Sequence, residues 1–400
     1  MTALATADSL FQLGHFADAA RAYAVVAADQ PEHLRALTQL GRIAVLSNRF
    51  AEAEDWLGRA RRLAPDDSAV VHLLAEAWYR QDRFADVAGL LRGRGNDIKV
   101  QVLDGFRGRV PYQIDGPGEE TSLRFVQTDP IPVVTVRVNG HDANFIIDTG
   151  ASEVYLEPEF AKRAGAVLAA GSAAQGFAGG QTKEVQRGRV DSLGLGAFTV
   201  RDLPVNIVDT KFIGRDEVAK GLNVAGFIGT VLLYHFLPTL DYPGGQLTLR
   251  RKTVANLKAV EALASREGHT VVPFWLTGDH FMVTWASANG SQPSLFLIDT
   301  GGAGIGFVPG PSFVKEAGIV LPPSGDEKIG AVPIRRFTAD QVSLGGLTER
   351  AVPAIFGAFP AFLETSTGFR LAGIVSHAFF RHYAVTMDFT GMRYLLRRRP

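Results

Sequence analysis

The sequence predicts a multidomain chain, with α-helical repeats first and then a mainly β region built from two copies of one unit. Three observations carry that expectation. Phenylalanines recur every 34 residues near the N-terminus, at Phe16, Phe50 and Phe84. From about Asp97 the texture changes to short alternating apolar segments punctuated by Gly, Pro and Asn-Gly. Within that later stretch one series of motifs occurs twice, at offsets between 147 and 153 residues.

The 34-residue period extends beyond the phenylalanines. Ala19 and Ala53 keep it, with Val87 third; so do Tyr23, Leu57 and Leu91, Leu40 and Leu74, and Pro31 and Pro65. Within a unit the apolar positions fall at helical intervals, as in Phe50, Ala53, Leu57 and Ala60, and the prolines break helices near the unit ends. A fixed period of this length marks stacked supersecondary units, each burying its apolar face on a neighbour. Residues 1–93 resemble tetratricopeptide repeats on this pattern. The resemblance implies stacked helix pairs, with Gly41 and Ala75 where helices cross, and binding of a protein or peptide partner. The alternative is a packing appendage for the region that follows. No repeat position borrows a residue from the β region, so the array reads as separable from it.

The β region opens with an alternating segment, Pro132 to Val138, then Asn139-Gly140 as a hairpin turn, then a strand from Asn144 to Ile147. The second copy runs from Phe281 to Ala288, through Asn289-Gly290, to Leu295–Ile298. Asp148-Thr149-Gly150 recurs as Asp299-Thr300-Gly301, and Pro158-Glu159-Phe160 as Pro311-Ser312-Phe313. Ala225-Gly226, His235 and Asp241 recur as Ala372-Gly373, His382 and Asp388. The expected division is residues 1–93 helical repeats, 97–253 first lobe, 254–267 helical link and 268–400 second lobe.

In each copy an apolar strand runs straight into Asp-Thr-Gly. The glycine permits a sharp turn, which leaves a carboxylate at the end of a buried strand. Two copies facing each other would bring Asp148 and Asp299 together. Two carboxyl groups in contact cannot both ionise, so one proton is shared and the pair titrates as a unit. One member can then take a proton from water as it attacks a carbonyl carbon while the other donates to the carbonyl oxygen.

Residues 97–400 resemble the retropepsin–pepsin group of aspartic peptidases, most closely its bacterial members. The resemblance implies a bilobal acid-protease fold and hydrolysis of peptide bonds, with Asp148 and Asp299 catalytic. It implies that Thr149 and Thr300 brace the two loops, with Gly150, Ser152 and Gly301 in support. Phe227-Ile228-Gly229 matches the hydrophobic-hydrophobic-Gly element that packs beside an Asp loop. Gly176-Phe177-Ala178-Gly179-Gly180 matches the hairpin flap that covers the cleft. The second copy departs from the pattern. Gly302-Ala303 replaces a small residue and a hydroxyl, removing a hydrogen bond to the carboxylate, and Ser376 stands where the family has glycine. These departures support the alternative, a catalytically inactive peptide-binding adaptor.

Composition narrows the field. Basic and acidic residues balance at 41 each, which argues against a general electrostatic grip on nucleic acid or an anionic membrane. With no cysteine, disulfides, thiolate nucleophiles and Cys-ligated metals are excluded. No apolar run reaches the length of a membrane span, and Met1 to Leu13 lacks a signal-peptide pattern. The expectation is a soluble monomer without cofactor or metal, cytoplasmic as written, or periplasmic had a leader been removed. Ser312-Phe313-Val314-Lys315 spells a serine–lysine nucleophile pattern, but its counterpart in the first copy begins with Glu159, so it reads as a helix start. Asp241 and Asp388 read as strand-end residues, and His235 and His382 as structural.

Overall fold

A computed structural model describes residues 2–177, 181–210, 219, 221–278, 280–360 and 362–399. Helices Ala3–Gln12, Phe16–Asp29, Leu34–Leu46, Phe50–Leu63, Ser68–Tyr79, Phe84–Leu91 and Asp97–Asp104 lead the chain. Phe16, Phe50 and Phe84 each open the second helix of a pair, which is the origin of their spacing. Side-chain caps start three of the first helices: Thr2 Oγ1 accepts from the Ala5 N–H, His33 Nδ1 from the Ala36 N–H and Asp67 Oδ1 from the Val70 N–H. A Cβ on Gly41 would lie 2.5 Å from Leu57 Cγ, so the second helix pair crosses at a separation that glycine alone allows.

The helical array does not stand alone, contrary to the separability read from its period. Phe11 and Phe16 pack edge-on against Phe369 of the second β unit, with ring centroids 5.9 and 5.2 Å apart, and Phe16 also meets Trp275 at 5.2 Å. These residues share one apolar cluster with Leu295, Leu297, Val308 and Leu371. Burying each such side chain stabilises by about 1.5–3 kcal/mol, so helices and β unit form one core. The fully buried Arg80 guanidinium adds polar contacts across the same seam. It donates to the carbonyls of Val45 at 2.8 Å and Leu276 at 3.1 Å, and pairs with Glu76. Toward the first β unit, His235 Nε2 meets the Asp82 carboxylate at 3.0 Å and stacks on Tyr112 at 3.9 Å.

The first β unit contains the hairpin Val133–Val138 and His141–Ile147, joined by Asn139 and Gly140 at positive φ. In the second unit, Phe281–Ala288 and Ser294–Asp299 are joined instead by five residues, beginning with Asn289-Gly290. Each Asp-bearing strand pairs in parallel with a later strand: His141–Ile147 with Val224–Ile228, and Ser294–Asp299 with Gly373–Ser376. Helix Val254–Arg266 lies between the two units along the chain.

The units join through an antiparallel span. Its order is Thr270–Pro273, Arg393–Arg398, Tyr383–Asp388, Phe236–Asp241, Gln246–Arg251 and Glu120–Gln127. At its centre Thr239 pairs with Thr386, and their hydroxyls are 2.8 Å apart. These threonines are equivalent residues of the two copies, so the internal twofold axis passes between them. Asp241 and Asp388 close turns at the strand ends, accepting from the Gly244 and Gly391 N–H groups. No described helix is long and apolar enough to cross a membrane.

Candidate active site

The twofold axis also brings the two Asp-Thr-Gly loops together. Each strand is held by its parallel neighbour up to the aspartate: the Asp148 N–H donates to the Ile228 carbonyl at 3.0 Å, and Asp299 pairs in register with Ser376. Beyond it the loops interlock. The Thr149 N–H donates to Thr300 Oγ1 at 3.0 Å, and the Thr300 N–H donates to Thr149 Oγ1 at 3.0 Å. Each hydroxyl then donates onward across the axis, Thr149 to the Ile298 carbonyl at 3.3 Å and Thr300 to the Ile147 carbonyl at 3.2 Å. Both threonines are buried, so these four bonds are shielded from water.

The carboxyl groups face each other, each lying against the glycine of the opposite loop. Each also accepts from its own glycine, Asp148 from Gly150 N–H at 2.9 Å and Asp299 from Gly301 N–H at 2.7 Å. A Cβ on Gly150 would lie 2.5 Å from Asp299 Cγ, and one on Gly301 would overlap the Asp148 carboxyl. Each glycine thus makes room for the opposite carboxyl. The two residues keep partial surface exposure while their carboxyl groups sit among dense protein atoms. Burial, then the Asp299 charge and hydrogen bond, raises Asp148 well above the ordinary carboxylate range. Burial also raises Asp299, but there the N–H of Gly301 and the hydrogen bond from Asp148 oppose it. Both members are raised, so the pair holds one shared proton between them and titrates as a unit.

The supporting residues divide into several groups. Ser152 Oγ contacts Tyr155 Oη at 3.5 Å, and its carbonyl accepts from Val231 N–H at 2.9 Å. Ile228 is fully buried, and a Cβ on Gly229 would collide with the Ser152 and Glu153 carbonyls, so this element lies flat against the first Asp loop. Strands Val167–Phe177 and Gln181–Leu195 form a long hairpin in which Gly176 pairs with Thr182 and Phe177 with Gln181. Phe177 packs on the same apolar cluster as Ala151 and Ala303 of the two Asp loops, which sets the end of the hairpin beside the dyad. Gly179 and Gly180 of the expected flap lie outside the described residues.

Ser376 reads from sequence as a departure from glycine, yet here it holds the second loop. Its hydroxyl donates to the Asp299 carbonyl and accepts from Gly302 N–H at 3.1 Å. Tyr155 was not singled out in the sequence. Its Oη accepts from Gln175 Nε2 at 2.7 Å, linking the hairpin to the loop that carries Ser152. Among the described residues no group of three or more His, Asp or Glu side chains is placed to hold a metal.

Two facing Asp-Thr-Gly loops on an internally duplicated β scaffold define an acid-protease arrangement. Residues 134–231 match the family model described as aspartyl protease, and residues 4–68 match a tetratricopeptide-repeat model. The chain thus has N-terminal helices that match a tetratricopeptide-repeat model, followed by a mainly β region that matches an aspartyl-protease model in part. It is similar to the aspartic proteinase from Irpex lacteus, at 15% identity and TM-score 0.44, over 70% of this chain and 97% of that one. It is similar also to a retropepsin-like aspartic protease from Rickettsia conorii, at 17% identity and TM-score 0.25, over 35% of this chain and 95% of that one. Comparison with curated proteins gave no match.

Proposed function

We propose that the chain is an aspartic endopeptidase that hydrolyses peptide bonds in an extended substrate laid over Asp148 and Asp299. The observation that carries this reading is the facing carboxyl pair, each member against the other loop's glycine, held by reciprocally bonded Thr149 and Thr300. The ionised member of the pair takes a proton from a water that attacks the scissile carbonyl carbon. The protonated member donates its proton to the carbonyl oxygen, giving a tetrahedral diol. Collapse of the diol with proton transfer to the leaving nitrogen breaks the C–N bond. In this reading the long hairpin that includes Phe177 covers the substrate. Both carboxyl groups come from one chain, so a monomer suffices for catalysis.

The adaptor alternative draws on Gly302, Ala303 and Ser376. The hydroxyl of Ser376 supports the enzyme reading, because it restores polar anchorage to the second loop. A protein partner of the repeats would dock on the helix surface turned away from the β units.

The test is cleavage of an unstructured peptide library by the full chain, by Asp148→Asn and by Asp299→Asn, with light scattering of the active fraction. Each variant should lose cleavage by roughly 10³-fold or more, and the double variant should be no worse, because the pair works as one unit. A tetrahedral hydroxyl mimic of the diol should inhibit the parent. Parental rates in Asp299→Asn would exclude the paired mechanism and favour the adaptor; activity confined to a dimer would exclude the intramolecular site.

A further inference from the structure

We propose that Tyr79 and Glu153 are positioning residues through which the helical repeats hold the first Asp loop in its working geometry; the proposal rests on the peptidase reading above. Glu153 directly follows Ser152 in the loop that begins at Asp148. Its carboxylate accepts from Tyr79 Oη, on the last residue of helix Ser68–Tyr79, at 2.5 Å, and from Tyr112 Oη at 3.3 Å. The Tyr79 ring is itself fixed, stacked on Phe84 at 5.0 Å with the Lys99 ammonium 4.8 Å from its centre.

The stretch between this tether and the dyad has little slack. Ala151 and Ser152 carbonyls accept from the Thr230 and Val231 N–H groups at 3.0 and 2.9 Å. The Ala151 N–H donates to the Asp148 carbonyl at 3.2 Å, which closes the turn that carries the aspartate. A fixed Glu153 therefore fixes the backbone turn from which the Asp148 carboxyl projects. A cavity of about 60 Å³, lined by Tyr79, Lys99, Ser152, Glu153, Gln175 and Arg187, adjoins the tether. Hydrogen bonds rather than close apolar packing thus hold Glu153 here. The second loop uses other means. Gly304, the counterpart of Glu153, has no side chain, and its N–H donates to the Pro130 carbonyl of the first unit at 2.8 Å. The helices therefore reach the first Asp loop through a side-chain hydrogen bond for which the second loop has no counterpart at Gly304.

The test uses full-length Tyr79→Phe, Glu153→Gln and their double variant. The control is Arg80→Met, which cuts contacts between the helices and the second unit without reaching the Asp148 loop. Two readouts are taken: peptide cleavage, and amide hydrogen exchange of segments 148–153 and 299–304. Tyr79→Phe should lower kcat about tenfold, the worth of one hydrogen bond to a charged group, with KM little changed. Exchange in 148–153 should quicken while 299–304 stays as in the parent. The double variant should lose no more than the worse single one, since both cut the same link. Arg80→Met should lower Tm yet keep kcat. A Tyr79→Phe enzyme with lowered Tm but parental kcat and parental exchange in 148–153 overturns the proposal. Absence of cleavage in the parent would instead sink the peptidase reading; the exchange readout then decides the tether alone, quickened exchange in 148–153 upholding it and unchanged exchange overturning it.

Discussion

The Ser376 hydroxyl lies directly against Gly302, accepting its N–H at 3.1 Å and donating to the Asp299 carbonyl, so the two residues fit each other. A Cβ on Gly302 would fall inside van der Waals contact with Ser376 Oγ. The first copy has the opposite arrangement, Ala151 in the loop and Gly229 beside it. Two of the departures in the second copy, Gly302 and Ser376, are therefore one exchange of bulk between neighbours.

Gly302→Ala should consequently harm the protein rather than restore a family pattern. Overpacking costs about 1–3 kcal/mol, and displacement of Ser376 loosens the Asp299 carbonyl. Thermal unfolding should show a lower Tm with reduced cleavage. Ser376→Gly alone should also lower Tm, because Gly302 N–H loses its partner. Joining the two changes should recover most of the loss. A double variant worse than both singles would show that the fit is not reciprocal.

The dyad makes a pH-dependent demand on stability. Asp148 has its proton affinity raised by folding. Its protonated form is stabilising below the unfolded value of about 3.9, and that contribution fades as pH rises through the folded value. Asp148→Asn, neutral at every pH, should therefore have a higher Tm than the parent at pH 7. The two Tm values should converge below about pH 4. A Tm difference independent of pH would show that Asp148 is not held protonated by its surroundings.

Activity should trace a bell against pH, because one carboxyl must be protonated while the other is ionised. Both members are raised by burial, so the acidic limb should lie above the range of a free aspartate, near 3.9. Rates of kcat/KM across pH 3–8 test this, and a plateau rising to pH 8 would contradict a shared proton.

Removing the helical array should cost the fold and not only a docking surface. Deletion of residues 1–93 would bare Phe369, Trp275 and Leu295, which form one cluster with Phe11 and Phe16, and the truncated chain should aggregate. Arg80→Met is a milder probe. Breaking a buried charged pair costs about 3 kcal/mol or more, which denaturant titration would resolve. A soluble, fully active truncation would return the repeats to a detachable role.

The sequence by itself determined the 34-residue helical period, the duplicated β unit and the pair of Asp-Thr-Gly turns. These are local: each depends on residues a few positions apart, whose spacing sets which face is apolar and where the chain turns. It also placed Asp241 and Asp388 at strand ends, where their side chains cap the following turns. Tertiary structure alone decided what each loop rests on. Nothing in the spacing of Phe11 or Phe16 names Phe369 as their partner, because an apolar helix face fits any apolar surface of matching shape. Tyr79 and Glu153 are 74 residues apart and belong to different folding units, so neither period marks them. Ser376 looks like a lapse from glycine until its position against Gly302 is known. A side chain's worth as a brace depends on the atom it meets across the fold, and that partner is chosen by packing rather than by sequence spacing.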